Sequence, residues 1–273
     1  MVSTRKSARM RAMELIDIGC NLAHDSFDSD REDVLARARE AGVVQMVVTG
    51  ASREGSRTAL QLARQHPGEL FATAGVHPHL ASGFDDECEA LLRQLSTEAE
   101  VVAVGETGLD YFRDLSPRDV QRDVFQKQLN IGVASGLPAF LHMRDAHHDF
   151  HAILRDVRNQ LCDVVVHCFT GSREELHDYL ELDCHIGITG WICDERRGTH
   201  MLDFLKEIPA DRLMIETDSP YLKPRNLRPR VKSHRNEPRW LPWILNTVAE
   251  ARGEDPSILA EQTTANARRF FRI

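Results

Sequence analysis

Glu106, His142, His167 and Asp218 are the residues whose chemistry and placement stand out in this sequence. Glu106 follows the apolar run 101–104 and Gly105, inside VVAVGETGLDYF, at what reads as a Gly-flanked turn. A carboxylate at the mouth of an apolar strand is costly unless it meets a cation, a proton or a cluster of donors. Two more strand-like runs, PAFLHM and DVVVHCF, end in His142 and His167, and LMIETDSP ends in Glu216, Thr217 and Asp218. Gathered at one end of a set of parallel strands, two imidazoles and two carboxylates make a site for a divalent cation. Such a cation lowers the pKa of a water and draws charge from a phosphoryl or carbonyl oxygen. Asp218 is then either a ligand or the base that takes the water's proton. Glu216 reads as a supporting or structural residue. Ligand type favours Zn2+, Mn2+ or Fe2+, and a phosphate substrate in oxygen-rich surroundings lets Mg2+ compete.

The elements that must position these residues alternate along the chain. Strands are predicted at 15–18, 43–49, 70–76, 101–104, 138–142, 164–167, 185–188 and 213–216. Helical periodicity fills the gaps at 31–40, 53–65, 85–95, 117–134, 147–160, 173–181 and 200–206. Ser52, Ser116 and Asp145 read as N-caps, and Gly42, Gly68 and Gly136 as stops. Most of the strands are uninterrupted apolar runs rather than alternating ones, so both their faces are covered. An open doubly wound sheet would concentrate its site at one switch point. Here Asn21, His77, Glu106, His142, His167, Thr189 and Asp218 each sit just past a strand. The expected fold is therefore α/β, a TIM (β/α)8 barrel, followed by a Pro- and Arg-rich loop at 220–238 and extra C-terminal helices at 240–251 and 257–270.

The chain's 273 residues, 42% of them hydrophobic, suit one large domain, expected over 14–273. Residues 1–13 are basic and read as a leader outside it. A net charge of -8 excludes non-specific coating of nucleic acid or anionic membrane, and no apolar run approaches the roughly 18 residues of a membrane span. Six cysteines without a CxxC pair read as reduced thiols, which places the protein in the cytoplasm. Against the acidic whole, Lys223, Arg225, Arg228, Arg230, Lys232, Arg235 and Arg239 crowd one loop with Glu237 as its only acid, a pattern that suits phosphate capture. Trp191, Tyr111, Phe112 and Tyr221 fall on rim loops where they can stack bases of a single strand. His147 and His151, four apart on a helix, are expected to face solvent, and His66, His177, His185 and His200 have no partner pattern.

GVHPH (75–79), GETGLD (105–110), PAFLHMRDA (138–146), HCFTG (167–171), IGITGW (186–191), IETDSPYL (215–222) and RNEP (235–238) together resemble the TatD family of metal-dependent nucleases. The resemblance runs from about residue 15 to the C-terminus. It implies a metal-bearing barrel of the amidohydrolase type that hydrolyses phosphodiester bonds. Carried over, it makes Glu106, His142 and His167 metal ligands, and Asp218 the catalytic aspartate that can also ligate. It places His77 and Arg235 near the substrate phosphate. The His-x-His pair that opens most members is missing, since IDIGCNL has Gly19 and Asn21 at those positions, and His24 does not substitute for it. One well-held ion, with a second recruited by substrate, is therefore expected. The departure resembles the branch that gives the family its name. That implies a magnesium-dependent 3′-to-5′ exonuclease on ends of single-stranded DNA and RNA, active in repair of oxidative DNA damage and working as a monomer. The competing reading is a hydrolase of a small ester, amide or phosphoester on the same barrel. A non-catalytic binding module is disfavoured by the four site residues being present together.

Overall fold

The computed structural model describes residues 13–229 and 231–273. Residues 1–12 of the expected leader, and Arg230 of the basic loop, lie outside the described residues. Eight strands, β1 (Leu15–Cys20), β2 (Val43–Val48), β3 (Leu70–Ala74), β4 (Val101–Asp110), β5 (Ala139–Arg144), β6 (Val164–Val166), β7 (His185–Ile188) and β8 (Leu213–Ile215), lie side by side in sequence order. Each pairs in parallel with the next. Between them run α1 (Arg31–Glu40), α2 (Arg53–Gln65), α3 (Asp86–Leu95), α4 (Arg118–Ser135), α5 (His147–Val157), α6 (Arg173–Glu181) and the short α7 (Thr199–Leu202). After β8 come α8 (Leu241–Arg252) and α9 (Pro256–Phe271). This is the TIM barrel expected, with its extra C-terminal helices.

The seam between β8 and β1 is closed by bonds just past the ladder. Asp218 N donates to Gly19 O at 2.8 Å and Asn21 N to Ser219 O at 2.7 Å. The fully buried Asp17 reinforces the seam, accepting from Thr217 N at 2.9 Å and pairing with Thr217 Oγ1 at 2.5 Å. Ile16, Ile18, Val47, Val102, Phe140, Val165 and Met214 fill the barrel and meet Ala267, Phe270 and Phe271 of α9. Asn266 of α9 donates to Ala210 O and Leu213 O, and Thr264 to Glu14 O, so this helix closes the end at which β8 and β1 begin. Chemistry is thus confined to the opposite, C-terminal rim. A second, larger core lies between the strands and the surrounding helices.

Burial pushes the Asp17 carboxyl from 3.8 up to about 8, against the lowering effect of the Thr217 bonds. The folded protein therefore keeps a proton that the unfolded chain releases above pH 4, and this contribution to stability falls as pH rises from about 4 to about 8. Asp17→Asn, which presents a similar donor and acceptor without titrating, should flatten that decline. Urea midpoints at pH 5.5 and 8 check it, and an equal decline in both proteins would show that Asp17 is not the group responsible.

Two local expectations change. β4 does not stop at residue 104 but runs to Asp110, so Glu106 lies inside a strand rather than in a turn. Gly105 and Gly108 have φ of +142° and +150°, and a Cβ on either would overlap a carbonyl oxygen of β5, that of Phe140 or His142. Without side chains they let β4 hug β5 through a register shift between Val104 and Thr107. The caps differ as well. Pro117 and Ala146, rather than Ser116 and Asp145, precede α4 and α5. Ser116 Oγ instead donates to His79 O, tying two rim loops together.

Candidate active site

The centre of the rim is one carboxylate oxygen. Glu106 Oε1 lies 2.8 Å from His167 Nε2, 3.0 Å from His142 Nδ1 and 3.4 Å from His77 Nε2. Strand order explains the convergence, because Glu106, His142 and His167 come from the neighbouring strands β4 and β5 and the residue after β6. His77 follows β3, where Gly75 packs so tightly on the Gly105 backbone that a Cβ would overlap it. Asp218 stands across the seam at φ +51°, one oxygen accepting from Asn21 Nδ2 at 3.0 Å.

A ring of supporting groups fixes which imidazole nitrogen carries the proton. His167 Nδ1 faces Glu216 Oε2 at 3.4 Å, and the other Glu216 oxygen accepts from Cys168 N at 2.5 Å. His142 Nε2 is buried without a hydrogen-bond partner among the described residues and faces Asp110 Oδ2 at 3.4 Å. One side of each ring is turned to those carboxylates; the other side, His167 Nε2 and His142 Nδ1, meets Glu106 and is where a cation would displace a proton and take the lone pair. His77 is reversed. Its Nδ1 accepts from His79 N at 3.1 Å, so a neutral ring carries its proton on Nε2, the atom turned to Glu106. These tautomers are assigned from the hydrogen-bond network.

Burial opposes charge on Glu106, but the imidazoles of His77, His167 and His142 outweigh it and hold its carboxyl well below the usual carboxylate range. Burial lowers His77 to about 3 despite Glu106, so that ring is neutral. His142 and His167 move upward because Asp110, Glu106 and Glu216 overcome burial. Burial raises Asp218 to about 7, with His167 and Asn21 opposing.

The residues fit a divalent cation. By distance, His77, Glu106 and His142 form the tight group, one donor atom from each lying within 4.8 Å of the others. A buried carboxylate surrounded by imidazoles is a set of donors that a cation would complete. Sequence reasoning missed Asp110 and His79, whose Nε2 meets Asp110 Oδ2 at 2.7 Å. The signal was there, since Glu106, Gly108 and Asp110 share one face of a strand with period two. Glu216, expected to be supporting, touches His167 and no other imidazole nitrogen within 4.0 Å among the described residues.

Arg235 is not brought to this cluster. Its guanidinium binds both Asp30 oxygens at 2.7 Å, Ser26 O and Glu237, bracing the last loop against the start of α1. Arg239 also goes to Glu237. Phe112 and Tyr221 are exposed on the rim, whereas the Tyr111 hydroxyl donates to Asp149. His147, expected in solvent, bonds Tyr179 and Asp178, and His177 and His185 pair with Glu207 and Asp163.

A closed parallel barrel with imidazoles and carboxylates gathered at its C-terminal rim places the protein among the barrel hydrolases that work with a bound cation. Within that class the chain belongs to the TatD-related DNase family, whose model matches residues 16–272. It is 51% identical to the 3′-5′ ssDNA/RNA exonuclease TatD of Cronobacter sakazakii over 94% of this chain and 97% of that one. It is 49% identical to the protein of the same name from Erwinia tasmaniensis, over 95% of this chain and all of the relative. Among solved structures it resembles the TatD homolog YJJV of Escherichia coli, with a TM-score of 0.87 at 28% identity, covering 96% and 99% of the two chains. A TatD-family hydrolase of Entamoeba histolytica aligns with a TM-score of 0.83 at 26% identity, covering 95% and 98%.

Proposed function

We propose that the protein is a 3′-to-5′ exonuclease that hydrolyses phosphodiester bonds at the ends of single-stranded DNA and RNA with the help of a divalent cation, Mg2+ being the physiological one. The observation that carries the reading is the convergence of three imidazoles on Glu106 Oε1, in a chain half identical to exonucleases of that description over nearly its whole length. A cation bound there would lower the pKa of the attacking water and draw charge from the phosphoryl oxygens.

The chain's own residues divide the remaining work. Glu106, His142 and His167 would hold the cation, the two rings oriented by Asp110 and Glu216. Asp218 takes the proton of the attacking water and can also ligate, with Asn21 fixing its carboxylate. Neutral His77 offers its Nε2–H to a non-bridging phosphate oxygen. Arg235 acts at one remove, keeping the last loop in place rather than touching phosphate. The whole forms one domain over 14–273, acting as a monomer in the cytoplasm in repair of oxidatively damaged DNA.

Digestion of a 5′-labelled single-stranded oligonucleotide with Mg2+, with Mn2+ and with chelator tests this. A ladder shortening from the 3′ end is expected, abolished by chelator. Asp218→Asn should slow it by about a hundredfold to ten-thousandfold, the usual reach of a general base. No cleavage with any metal, beside turnover of a small phosphoester, would move the assignment to the small-molecule hydrolase.

A further inference from the structure

Arg144 stands two residues beyond His142 on β5, on the same face of the strand and therefore one step further out along the rim. Its guanidinium lies 4.9 Å from the centre of the Trp191 ring and 5.0 Å from that of Phe112. Its Nη1 donates to Thr170 Oγ1 at 3.1 Å, but its buried Nε has no hydrogen-bond partner among the described residues, Asp145 Oδ1 standing off at 3.6 Å. The buried Trp191 Nε1 beside it has none either. Unpaired buried donors cost free energy, and water or an acceptor from outside the chain is what completes such groups.

Trp191 also carries the Arg197 guanidinium at 4.3 Å and forms one wall of a cavity of about 480 Å3 between the loops that follow β7 and β8. Among the described residues, Arg196, Arg197, Lys223 and Arg225 line this cavity against Asp194 and Glu195, four cations to two carboxylates. Asp194 is shared among Arg196, Arg197 and Arg225, the last at 3.5 Å, so it organises these cations without neutralising them. In a chain of net charge -8 such a surplus is unusual. Aromatic faces leading into a cationic cleft are what a single strand requires of a protein that binds it without reading its sequence.

We propose that the single strand leaves the reacting phosphodiester across Arg144 and Trp191 and that its next nucleotides, on the 5′ side, lie in the cavity walled by Arg197 and Arg225. This deepens the exonuclease reading and rests on it for the strand's polarity. The partly exposed Arg144 guanidinium meets the backbone phosphates together with Arg197 and Arg225, Trp191 holds Arg144 and Arg197 in place, and Phe112 offers its exposed ring to a base. The cavity has the size of a small-molecule site, so it admits a short run of nucleotides and excludes a duplex.

Binding separates this from the catalytic reading. With chelator present to prevent cleavage, the affinity of a 3′-labelled and of a 5′-labelled single-stranded 12-mer is read by fluorescence anisotropy for the full chain, Arg197→Ala with Arg225→Ala, and Trp191→Ala. Both variants should weaken binding about tenfold, and the double arginine variant should lower the slope of log Kd against log salt by about 0.7 for each phosphate it no longer neutralises. Arg197→Lys with Arg225→Lys should recover most of the affinity, which a folding defect would not allow. Variant-sensitive binding without digestion by any metal would leave the track standing and sink the nuclease. Unchanged affinity and salt slope in the variants, or no binding by the full chain, would overturn the track whatever the enzyme digests.

Discussion

Glu106→Ala should lower kcat/KM on a single-stranded oligonucleotide by about a thousandfold or more, roughly 4 kcal/mol of transition-state stabilisation, while the protein stays folded. Glu106 supplies the oxygen on which His77, His142 and His167 all converge, so its loss removes the charged member of the donor group and the acceptor that organises the rest. The fold should survive because the core that sustains the barrel lies elsewhere, inside it and behind the strands. Buried imidazoles left without the carboxylate can shed their protons. A second readout follows from linkage. A cation that binds only the folded state at 100 times its Kd adds about 2.7 kcal/mol of stability. Thermal unfolding with and without Mn2+ should therefore move in the parent and stay still in Glu106→Ala. Parent-like turnover, or an equal metal-induced shift, would remove Glu106 from the site.

Gly19→Ala should destabilise the protein by about 3 kcal/mol, the upper range for overpacking a filled core. A Cβ there would overlap Glu216 Oε2 and lie 2.9 Å from Phe140 Cζ. Neither neighbour can move cheaply. Phe140 is fully buried in the barrel core, and Glu216 is held by Cys168 N and His167 and is itself 0% exposed. A Cβ at Gly187 would meet the other Glu216 oxygen, so that carboxylate occupies a slot between two glycines. Urea midpoints measure the effect, and a change below about 0.5 kcal/mol would show that the slot has slack. The same crowding leaves no room for a His-x-His pair on the first strand. The volume a histidine at position 19 would need is taken by Glu216 and Phe140, and Asn21 is spent on Asp218.

The barrel was legible because most of its strands read as uninterrupted apolar runs that alternate with helical periodicity, so element order alone prescribed the closure. β7 and the helices α1, α2 and α6 begin and end where periodicity put them. Glu106, His142 and His167 were legible because each interrupts or ends an apolar run with a group that burial punishes. Asp110 was not, because the turn read into GETGLD hid the continuation of β4 that puts it in line with Glu106. Arg235 was read by type and loop. Its ties to Asp30, about two hundred positions away in sequence, are a tertiary fact that local pattern does not carry. For His77, role follows from tautomer, and that depends on one backbone N–H of a neighbouring turn.

The helix that closes the base of the barrel bears on how the chain is made. Synthesis delivers β1 to β8 before α9, so a nascent chain holding all eight strands still has an open bottom. Through it the inner residues Ile16, Ile18, Val102 and Phe140 face water until Phe270 and Phe271 arrive. Apolar surface exposed in this interval is what draws partly made chains into aggregates. The final turn of α9 thus acts as a stopper, and the barrel's inner residues are sealed only once the segment that carries Phe270 and Phe271 has docked.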